Sequence, residues 1–220
     1  MSTLSPRTYP CLVFSESWQR PVQVFCKRLI DILVSAVLLI LLSPLFLALA
    51  LLVKFTSRGP VFYPWRVVGK NGRPFVGYKF RSMVANADEL KAALEAHNEM
   101  LGPVFKLSRD PRITRVGAWM RRYSLDELPQ LYSVWKGDMS LVGPRPPLVT
   151  EYVRFSDFQK QKLAVTPGMT CLWQTSGRND ISDFDEWVRL DLDYIRNWSL
   201  WFDCKILART AWVVVAGSGK

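Results

Sequence analysis

Metal-binding side chains other than carboxylates are scarce in this 220-residue sequence, which contains one histidine and four cysteines. The cysteines stand at positions 11, 26, 171 and 204 and form no CxxC pair. Because zinc sites are built mostly from histidine and cysteine, this scarcity argues against zinc chemistry. It also indicates a reducing compartment with unpaired thiols. We interpret His97 as a solvated residue of a polar helix.

The sequence also lacks internal repeats and low-complexity tracts, and its length suits one domain with a core plus an appendage. Acidic residues are outnumbered by basic ones, 19 against 29, which gives a formal net charge of +10 and a pI of about 9.7. This surplus predicts an anionic partner, which is a nucleic acid, an anionic lipid surface or a phosphorylated substrate.

The segment 54–81 contains seven basic residues and no acidic one. Two short β-rich pieces, at 61–63 and 75–80, flank Asn71-Gly72 and predict a small hairpin. A solvated basic face would explain the charge. Attraction to anionic headgroups or to a phosphorylated ligand would explain it equally well, because the segment directly follows a long apolar block.

Charge is missing altogether from Ile32 to Val53. As a helix these 22 residues would extend about 33 Å, which is just enough to cross a bilayer. Ser43-Pro44 interrupts the block, and proline kinks or breaks a helix. Basic residues flank both sides and favour the cytoplasm at both ends, so a re-entrant helix competes with a single crossing.

Two smaller interpretations concern the same block. The small residues Ala48 and Ala50 resemble a signal-peptide cleavage site, but the block begins late and is too long for a signal peptide. Asp31 lies one helical turn from Lys27 and Arg28, so we expect a local ion pair there.

Hydrophobic periodicity predicts helices at 84–101, 128–135 and 151–163, and a turn followed by a strand at 165–173. Gly137 is expected to end the second of these helices. The C-terminal third is aromatic, and either a filled core or interfacial helices lying on a bilayer would explain this. The apolar block favours the interfacial interpretation. The aromatic residues are Trp187, Tyr194, Trp198, Trp201, Phe202 and Trp212.

Two adjacent carboxylates, Asp126 and Glu127, stand in the segment RRYSLDELPQ. The structural interpretation is a capping box, in which Ser124 caps a helix, Glu127 bonds back and Asp126 favours the helix dipole. In the functional interpretation an ionised carboxylate attacks phosphorus, while magnesium and arginines offset the repulsion between the anions. The second carboxylate would then accept a proton or orient the acceptor. The available cations are Lys79, Arg81, Arg121, Arg122, Arg145 and Arg178.

Four ordered motifs resemble the bacterial sugar transferase family, the monotopic polyprenyl-phosphate phosphoglycosyl transferases. They are KFRSM from Lys79, SLDELPQ from Ser124, GDMSLVGPRP from Gly137 and TPGMT from Thr166. The resemblance extends from about Lys27 to the C-terminus. Together the motifs are far more specific than the acid pair alone.

The resemblance implies an enzyme that moves a sugar 1-phosphate from a UDP-sugar to undecaprenyl phosphate. The reaction would be the first membrane step of a polysaccharide or glycoconjugate pathway, on the cytoplasmic face of the bacterial inner membrane. Asp126 matches the nucleophile, which forms a phosphosugar-aspartyl intermediate and lies close to a required magnesium ion. Glu127 matches the residue that helps the lipid phosphate attack. The basic residues implied in phosphate or nucleotide binding are Arg121 and Arg145, with Lys79, Arg81 and Arg178 as helpers.

The resemblance also implies a fold, which is mostly α with a small β component and monotopic in the membrane. Ser43-Pro44 would break a re-entrant helix at 27–58, after a tail at 1–26 and before a cytoplasmic catalytic domain at 59–220 with interfacial C-terminal helices. Family members often have glycine at the position of Cys171. Larger members carry further helices and a further domain, so this chain is either a natural short form or a fragment.

Other functions remain open at this point. One is a membrane-bound phosphohydrolase of nucleotide sugars, and another is a membrane-anchored basic scaffold. We expect inner-membrane lipids as partners, no nucleic acid and a possible homodimer. No motif encodes the identity of the sugar.

Overall fold

The computed structural model describes residues 16–175 and 181–217 and is mostly α-helical, with two small two-stranded sheets. The described chain begins with three helices, followed by a β-hairpin and a short helix. These elements are α1 (Glu16–Gln19), α2 (Pro21–Leu41), α3 (Ser43–Thr56), β1 (Phe62–Val68), β2 (Pro74–Phe80) and α4 (Ala87–Leu94).

Short helices and the second sheet make up the middle of the chain, and two longer helices end it. These elements are α5 (Arg115–Arg122), α6 (Gln130–Lys136), β3 (Ser140–Val142), α7 (Val149–Tyr152), α8 (Asp157–Lys160), β4 (Gly168–Thr170), α9 (Leu172–Thr175), α10 (Phe184–Asn197) and α11 (Leu200–Val215). The expectation of a mostly helical chain with a small β component is therefore confirmed.

Helices α2 and α3 form a bent pair, and their axes differ by 61° across the break at Leu42. Pro44 lies in the first turn of α3, where its missing N–H costs no helical hydrogen bond. The hydroxyl of Ser43 donates to the carbonyl of Ile40 at 2.8 Å. The predicted break at Ser43-Pro44 is confirmed. In the described part of the chain no single helix meets the length and hydropathy needed to cross a bilayer, whereas the bent pair taken together does.

The predicted hairpin is present, and β1 pairs antiparallel with β2 so that Trp65 lies opposite Gly77. Its connection contains a 3-10 turn at Lys70–Gly72. Asn71 (φ 56°) and Gly72 (φ 77°) both adopt the left-handed region there. Asparagine and glycine are the residues that enter this region at least cost, which explains why this dipeptide marks the hairpin.

Two of the predicted helices are wrong in extent. The helix expected at 84–101 is only α4, followed by a 3-10 turn at Glu95–His97, where the exposed His97 lies. The side chain of Asn98 then accepts from the backbone N–H groups of Met100 and Lys106, which holds a loop and stops the helix. The helix expected at 151–163 is split into short pieces.

An N-cap at Ser156 explains why the helix predicted at 151–163 is divided. Ser156 accepts from the backbone N–H of Gln159, and the Gln159 side chain accepts from the backbone N–H of Ser156. This capping box begins α8 in the middle of the predicted helix. The predicted helix at 128–135 is confirmed as α6, which ends at Gly137 with φ 105°.

The aromatic residues of the C-terminal third divide between the core and the surface. Trp187, Tyr194 and Trp198 are buried, so the interfacial interpretation is wrong for them and the filled core explains them. In contrast, Trp201 and Trp212 of α11 are 68% and 74% exposed.

A buried ion pair joins the bent pair to the core. Lys27 of α2 donates to Oδ2 of Asp203 in α11 at 2.6 Å and to the carbonyl of Val142 in β3 at 3.0 Å. Asp203 also accepts from the hydroxyl of Tyr194 at 2.8 Å and from the indole of Trp198 at 3.1 Å. The charges are therefore well satisfied although they are removed from water.

The local ion pair expected within α2 is not formed. Asp31 instead accepts from the backbone N–H of Leu141 at 2.9 Å, and Arg28 donates to the carbonyls of Val134 and Trp135. These side chains bond to the elements that pack against α2, which satisfies buried backbone groups there.

We expect Asp203→Asn to lower the free energy of unfolding by about 3–5 kcal/mol, because it leaves the charge of Lys27 buried without its counter-charge. Denaturant unfolding in detergent measures this. The matched control is Asp138→Asn, which removes the exposed ion pair with Lys136 and should cost less than about 1 kcal/mol. Equal losses in the two variants would contradict the buried-pair account.

Candidate functional site

The acid pair, Asp126 and Glu127, lies in a 3-10 turn at Leu125–Glu127 between α5 and α6. The predicted capping box is wrong, because Ser124 makes no side-chain cap and adopts the left-handed region with φ 54°. This conformation reverses the chain after α5. Non-glycine residues rarely adopt it, and such outliers cluster at functional sites.

Both carboxylates border one pocket of about 340 Å³, the acid-pair pocket. Its walls come from the β1–β2 hairpin, the end of α5, the acid-pair turn and the loop that follows β3. Four of the predicted cations, Lys79, Arg81, Arg121 and Arg145, line it together with the acid pair. Asp126 is only 7% exposed, so its charge lies in a largely dehydrated environment.

Glu127 binds two of these cations. Its Oε1 lies 2.9 Å from Nζ of Lys79 and 3.4 Å from Nη1 of Arg145. Both cations also lie over the indole of Trp65, at 3.9 Å and 5.6 Å from the ring centroid. The aromatic face and the carboxylate together hold two positive charges close to each other in the pocket.

The pKa values of these cations reflect the balance between burial and charge. Burial lowers the pKa of Lys79 below its ordinary value of 10.5, and the attraction of Glu127 only partly opposes this. For Arg145 burial is the largest single effect and acts in the same direction, but the charge and hydrogen bond of Glu127, together with other nearby anionic groups, outweigh it and the pKa is raised. Arg145 therefore stays charged, while Lys79 loses its proton at a lower pH than a solvated lysine.

Arg121 reaches the pocket from the last turn of α5. Its Nε donates to the hydroxyl of Ser82 at 2.9 Å, which fixes the guanidinium. Burial lowers the pKa of Arg121, and the charge of Asp126 opposes that shift. An arginine titrates so far above neutral pH that it remains a cation here.

Arg145 is positioned by the second sheet, in which β3 and β4 run parallel. The N–H of Gly143 donates to the carbonyl of Thr170 at 3.0 Å, and the N–H of Gly168 donates to the carbonyl of Pro144 at 2.9 Å. A Cβ atom on Gly168 would lie 2.0 Å from the nitrogen of Gly143, so a larger residue is excluded there. This close contact between the two backbones fixes the start of the Gly-Pro-Arg-Pro loop against the start of β4.

Two other predicted cations, Arg81 and Arg122, form hydrogen bonds to backbone groups away from the acid pair. Arg81 lines the pocket wall, but its Nη2 donates to the carbonyl and hydroxyl of Ser57, at the C-terminal end of α3. Arg122 points elsewhere and donates to the carbonyl of Gly217 at 3.3 Å. Arg178 lies outside the described residues. Its predicted part in the site stays a prediction.

A second pocket of about 360 Å³, the tryptophan pocket, adjoins the first. Trp65, Arg121 and Arg145 line both pockets, so the arginines form their common wall. Trp173 and Trp187 line the second pocket, and their rings stack in parallel with centroids 4.1 Å apart. The two pockets form one cleft. Arg121 and Arg145 lie between the acid pair at one end and the stacked tryptophans at the other.

Two residues that shape this cleft, Trp65 and Ser82, were not predicted from the sequence. Ser82 belongs to the motif KFRSM, so its place beside Lys79 and Arg81 was a usable signal. Trp65 carries no such signal, because its contacts with Lys79 and Arg145 depend on the pairing of β1 with β2 and on the loop after β3.

The donor atoms available to a metal ion are few. Within residues 16–175 and 181–217, no three histidine, cysteine or acidic side chains are grouped so that they could hold a metal. Magnesium commonly binds through one or two carboxylates together with substrate phosphates and water. Asp126, the predicted metal ligand, fits that mode of binding and is the side chain that would hold the ion, since Glu127 is already paired with two cations.

Comparisons with known proteins identify a family and several relatives of this chain. The family model described as bacterial sugar transferase matches residues 22–217. Galactosyl transferase CpsE of Streptococcus agalactiae is 45% identical over 211 residues, which cover 96% of this chain and 47% of that protein. Undecaprenyl-phosphate galactose phosphotransferase of Salmonella typhimurium is 48% identical over 199 residues, which cover 89% and 41% of the respective chains.

Exopolysaccharide production protein ExoY of Rhizobium meliloti is 42% identical over 206 residues, which cover 91% of this chain and 90% of that protein. The chain thus spans less than half the length of the first two relatives and nine tenths of the third. A family match over nearly the whole chain, together with these identities, establishes that this chain belongs to the bacterial sugar transferase family.

Proposed function

We propose that this chain is a phosphoglycosyl transferase that moves a sugar 1-phosphate from a UDP-sugar to undecaprenyl phosphate. The observation that carries the proposal is the convergence of Asp126 and Glu127 with Lys79, Arg121 and Arg145 in one pocket. The names of the relatives support the substrates, since the Salmonella protein is named for undecaprenyl phosphate and galactose. The name of the Rhizobium protein supports a place in polysaccharide synthesis.

In the first step a carboxylate oxygen of Asp126 attacks the phosphorus atom that carries the sugar. A new oxygen–phosphorus bond forms, and the bond between that phosphorus and the bridging oxygen breaks, so UMP leaves with the electron pair. Arg121 and Arg145 bind the phosphate oxygens and reduce the repulsion between carboxylate and diphosphate. A bound magnesium ion would supply further positive charge at these oxygens.

In the second step an oxygen of the lipid phosphate attacks the phosphorus of the aspartyl adduct, and the carboxylate of Asp126 leaves. Glu127 orients the incoming phosphate or accepts its remaining proton. Lys79 and Arg145, which already neutralise Glu127, attract the lipid phosphate and keep it beside the adduct. The two carboxylates thus serve different halves of one transfer reaction.

The bent pair of α2 and α3 would place this site at the cytoplasmic face of the bacterial inner membrane. Large apolar side chains project outward from both helices, although such residues usually lie in a protein core. The most exposed of them are Val22, Phe25, Ile40, Leu41, Leu47 and Phe55. Trp201, Trp212 and Val215 of α11 extend the same kind of surface. Insertion of the bent pair into one leaflet would cover this apolar area.

Asp126→Asn is expected to lower UMP release by at least about 10³-fold without unfolding the protein, because the amide is a poor nucleophile. The assay follows UMP from a panel of UDP-sugars with undecaprenyl phosphate and magnesium, and mass spectrometry seeks the trapped adduct on Asp126. Asp157→Asn, which changes a fully exposed carboxylate outside the four motifs, is the matched control and should keep full activity. An amide variant that retains the wild-type rate would refute the aspartyl mechanism. The panel also identifies the sugar.

The transfer rate should fall on the alkaline side at a pH below the ordinary pKa of lysine, because burial lowers the pKa of Lys79 and the reaction needs its charged form. Lys79→Arg should remove this alkaline decline, since arginine keeps its proton. The control Lys136→Arg changes an exposed lysine and should leave the pH profile unaltered. An unchanged profile in Lys79→Arg would assign the decline to another group.

Re-entry of the bent pair predicts that both of its ends face the cytoplasm. Gln19→Cys and Thr56→Cys, in a chain whose Cys11, Cys26 and Cys204 are replaced by serine, should both react with an impermeant maleimide in inverted membrane vesicles. Leu42→Cys, at the break, should be protected. Labelling of only one end would show a crossing helix instead.

A further inference from the structure

A third pocket, of about 220 Å³, lies beside the acid-pair turn, and we name it the apolar pocket. Ser124 and Glu127 line both this pocket and the acid-pair pocket, so the turn forms a wall between them. Glu127 is the one charged side chain among the described residues of its lining. Most of the rest are leucine, valine and methionine, including Leu38, Leu42, Leu128, Leu207, Met169 and Val214.

The three threonine hydroxyls in the lining are already hydrogen bonded. Thr170 and Thr210 bond to each other through their hydroxyls at 2.7 Å, and Thr210 also donates to the carbonyl of Ile206. The hydroxyl of Thr175 donates to the carbonyl of Leu172 at 2.9 Å. Because most of the lining is aliphatic, the pocket favours hydrocarbon over a polar ligand.

The position of the pocket is as informative as its lining. Leu38 and Leu42 come from the end of α2 and the break of the bent pair, and Leu207 and Val214 come from α11. These same elements carry the exposed apolar residues Ile40, Leu41, Trp212 and Val215. The apolar pocket therefore lies between an apolar outer surface and the acid pair.

A ligand that suits both sides of this wall must be an amphiphile. On one side, Lys79 and Arg145 at Glu127 attract an anionic phosphate. On the other side, an apolar cavity gains free energy by taking up hydrocarbon, because such cavities hold water poorly. A nucleotide sugar is polar along its whole length and has no part that would gain from the apolar pocket.

We infer that the apolar pocket binds the isoprenoid units next to the phosphate of the lipid acceptor. The inference rests on the proposed function, in which that phosphate attacks the Asp126 adduct beside Glu127. The hydrocarbon attached to it must then leave the site by an apolar path. The apolar pocket provides such a path to the surface formed by α2 and α11. The pocket takes no part in the first step, which involves only the nucleotide sugar.

Val214→Trp tests this inference because it fills the apolar pocket with a large side chain. The catalytic efficiency kcat/KM for undecaprenyl phosphate should fall about tenfold or more, while the single-turnover release of UMP without lipid should stay within about twofold of wild type. The matched control is Val215→Trp on the same helix, since Val215 is 77% exposed and does not line the pocket. Its lipid kinetics should be nearly those of the wild type.

The outcomes separate this inference from the proposed function. If wild-type protein releases no UMP from any UDP-sugar, the proposed function fails. If UMP release is normal but Val214→Trp and Val215→Trp have equal lipid kinetics, only the apolar-pocket inference fails.

A second measurement decides the matter if Val214→Trp does not fold. A short polyprenyl phosphate with a photoreactive group on its first isoprenoid unit is cross-linked to the wild-type protein, and peptides are mapped by mass spectrometry. We expect adducts on Leu128, Leu207 or Val214, suppressed by undecaprenyl phosphate but not by phosphatidylglycerol. Adducts confined to the outer face of α2, or equal suppression by phosphatidylglycerol, would overturn the inference.

Discussion

The buried ion pair between Lys27 and Asp203 is the constraint on which the arrangement of the other elements depends. It joins α2 to α11, and the same ammonium group bonds to the carbonyl of Val142 at the end of β3. The next residues form the Gly-Pro-Arg-Pro loop, so the position of Arg145 is tied to that of the bent pair. Removing two charges from water is costly, and here Tyr194 and Trp198 complete the hydrogen bonds that offset this cost.

The acid pair shows how a basic protein can hold two carboxylates side by side in a largely buried pocket. Glu127 takes two cations, Lys79 and Arg145, which also rest on the indole of Trp65. Asp126 lies next to it, close enough to Arg121 for each charge to influence the other. In the proposed reaction, these cations would allow anionic substrates to approach carboxylates that would otherwise repel them. The net charge of +10 is thus partly concentrated around the acid pair.

Local chemistry in the sequence predicted several features correctly. Asn71-Gly72 specified the hairpin, Ser43-Pro44 specified the break in the apolar block, and Gly137 specified the end of α6. Each of these depends on the backbone freedom of one or two residues, which needs no distant partner. The motifs also identified the acid pair and three of the cations that line its pocket. The predictions that failed were those in which a local pattern competed with another contact. Nearby side-chain caps stopped two predicted helices, and a distant contact replaced the ion pair expected within α2.

Ser124 illustrates that competition, since its sequence pattern fits a capping box while the structure uses it as a left-handed reversal that aims the acid pair into a pocket. Arg81 likewise stands in a motif but holds the end of α3. The sequence by itself determined the acid pair, several of the cations around it, the break in the apolar block and the family. Only the tertiary structure decided that Trp65 supports two cations and that an apolar pocket shares Glu127 with the acid-pair pocket. The reason is that these contacts join residues far apart in the chain, whose meeting depends on packing and buried charge.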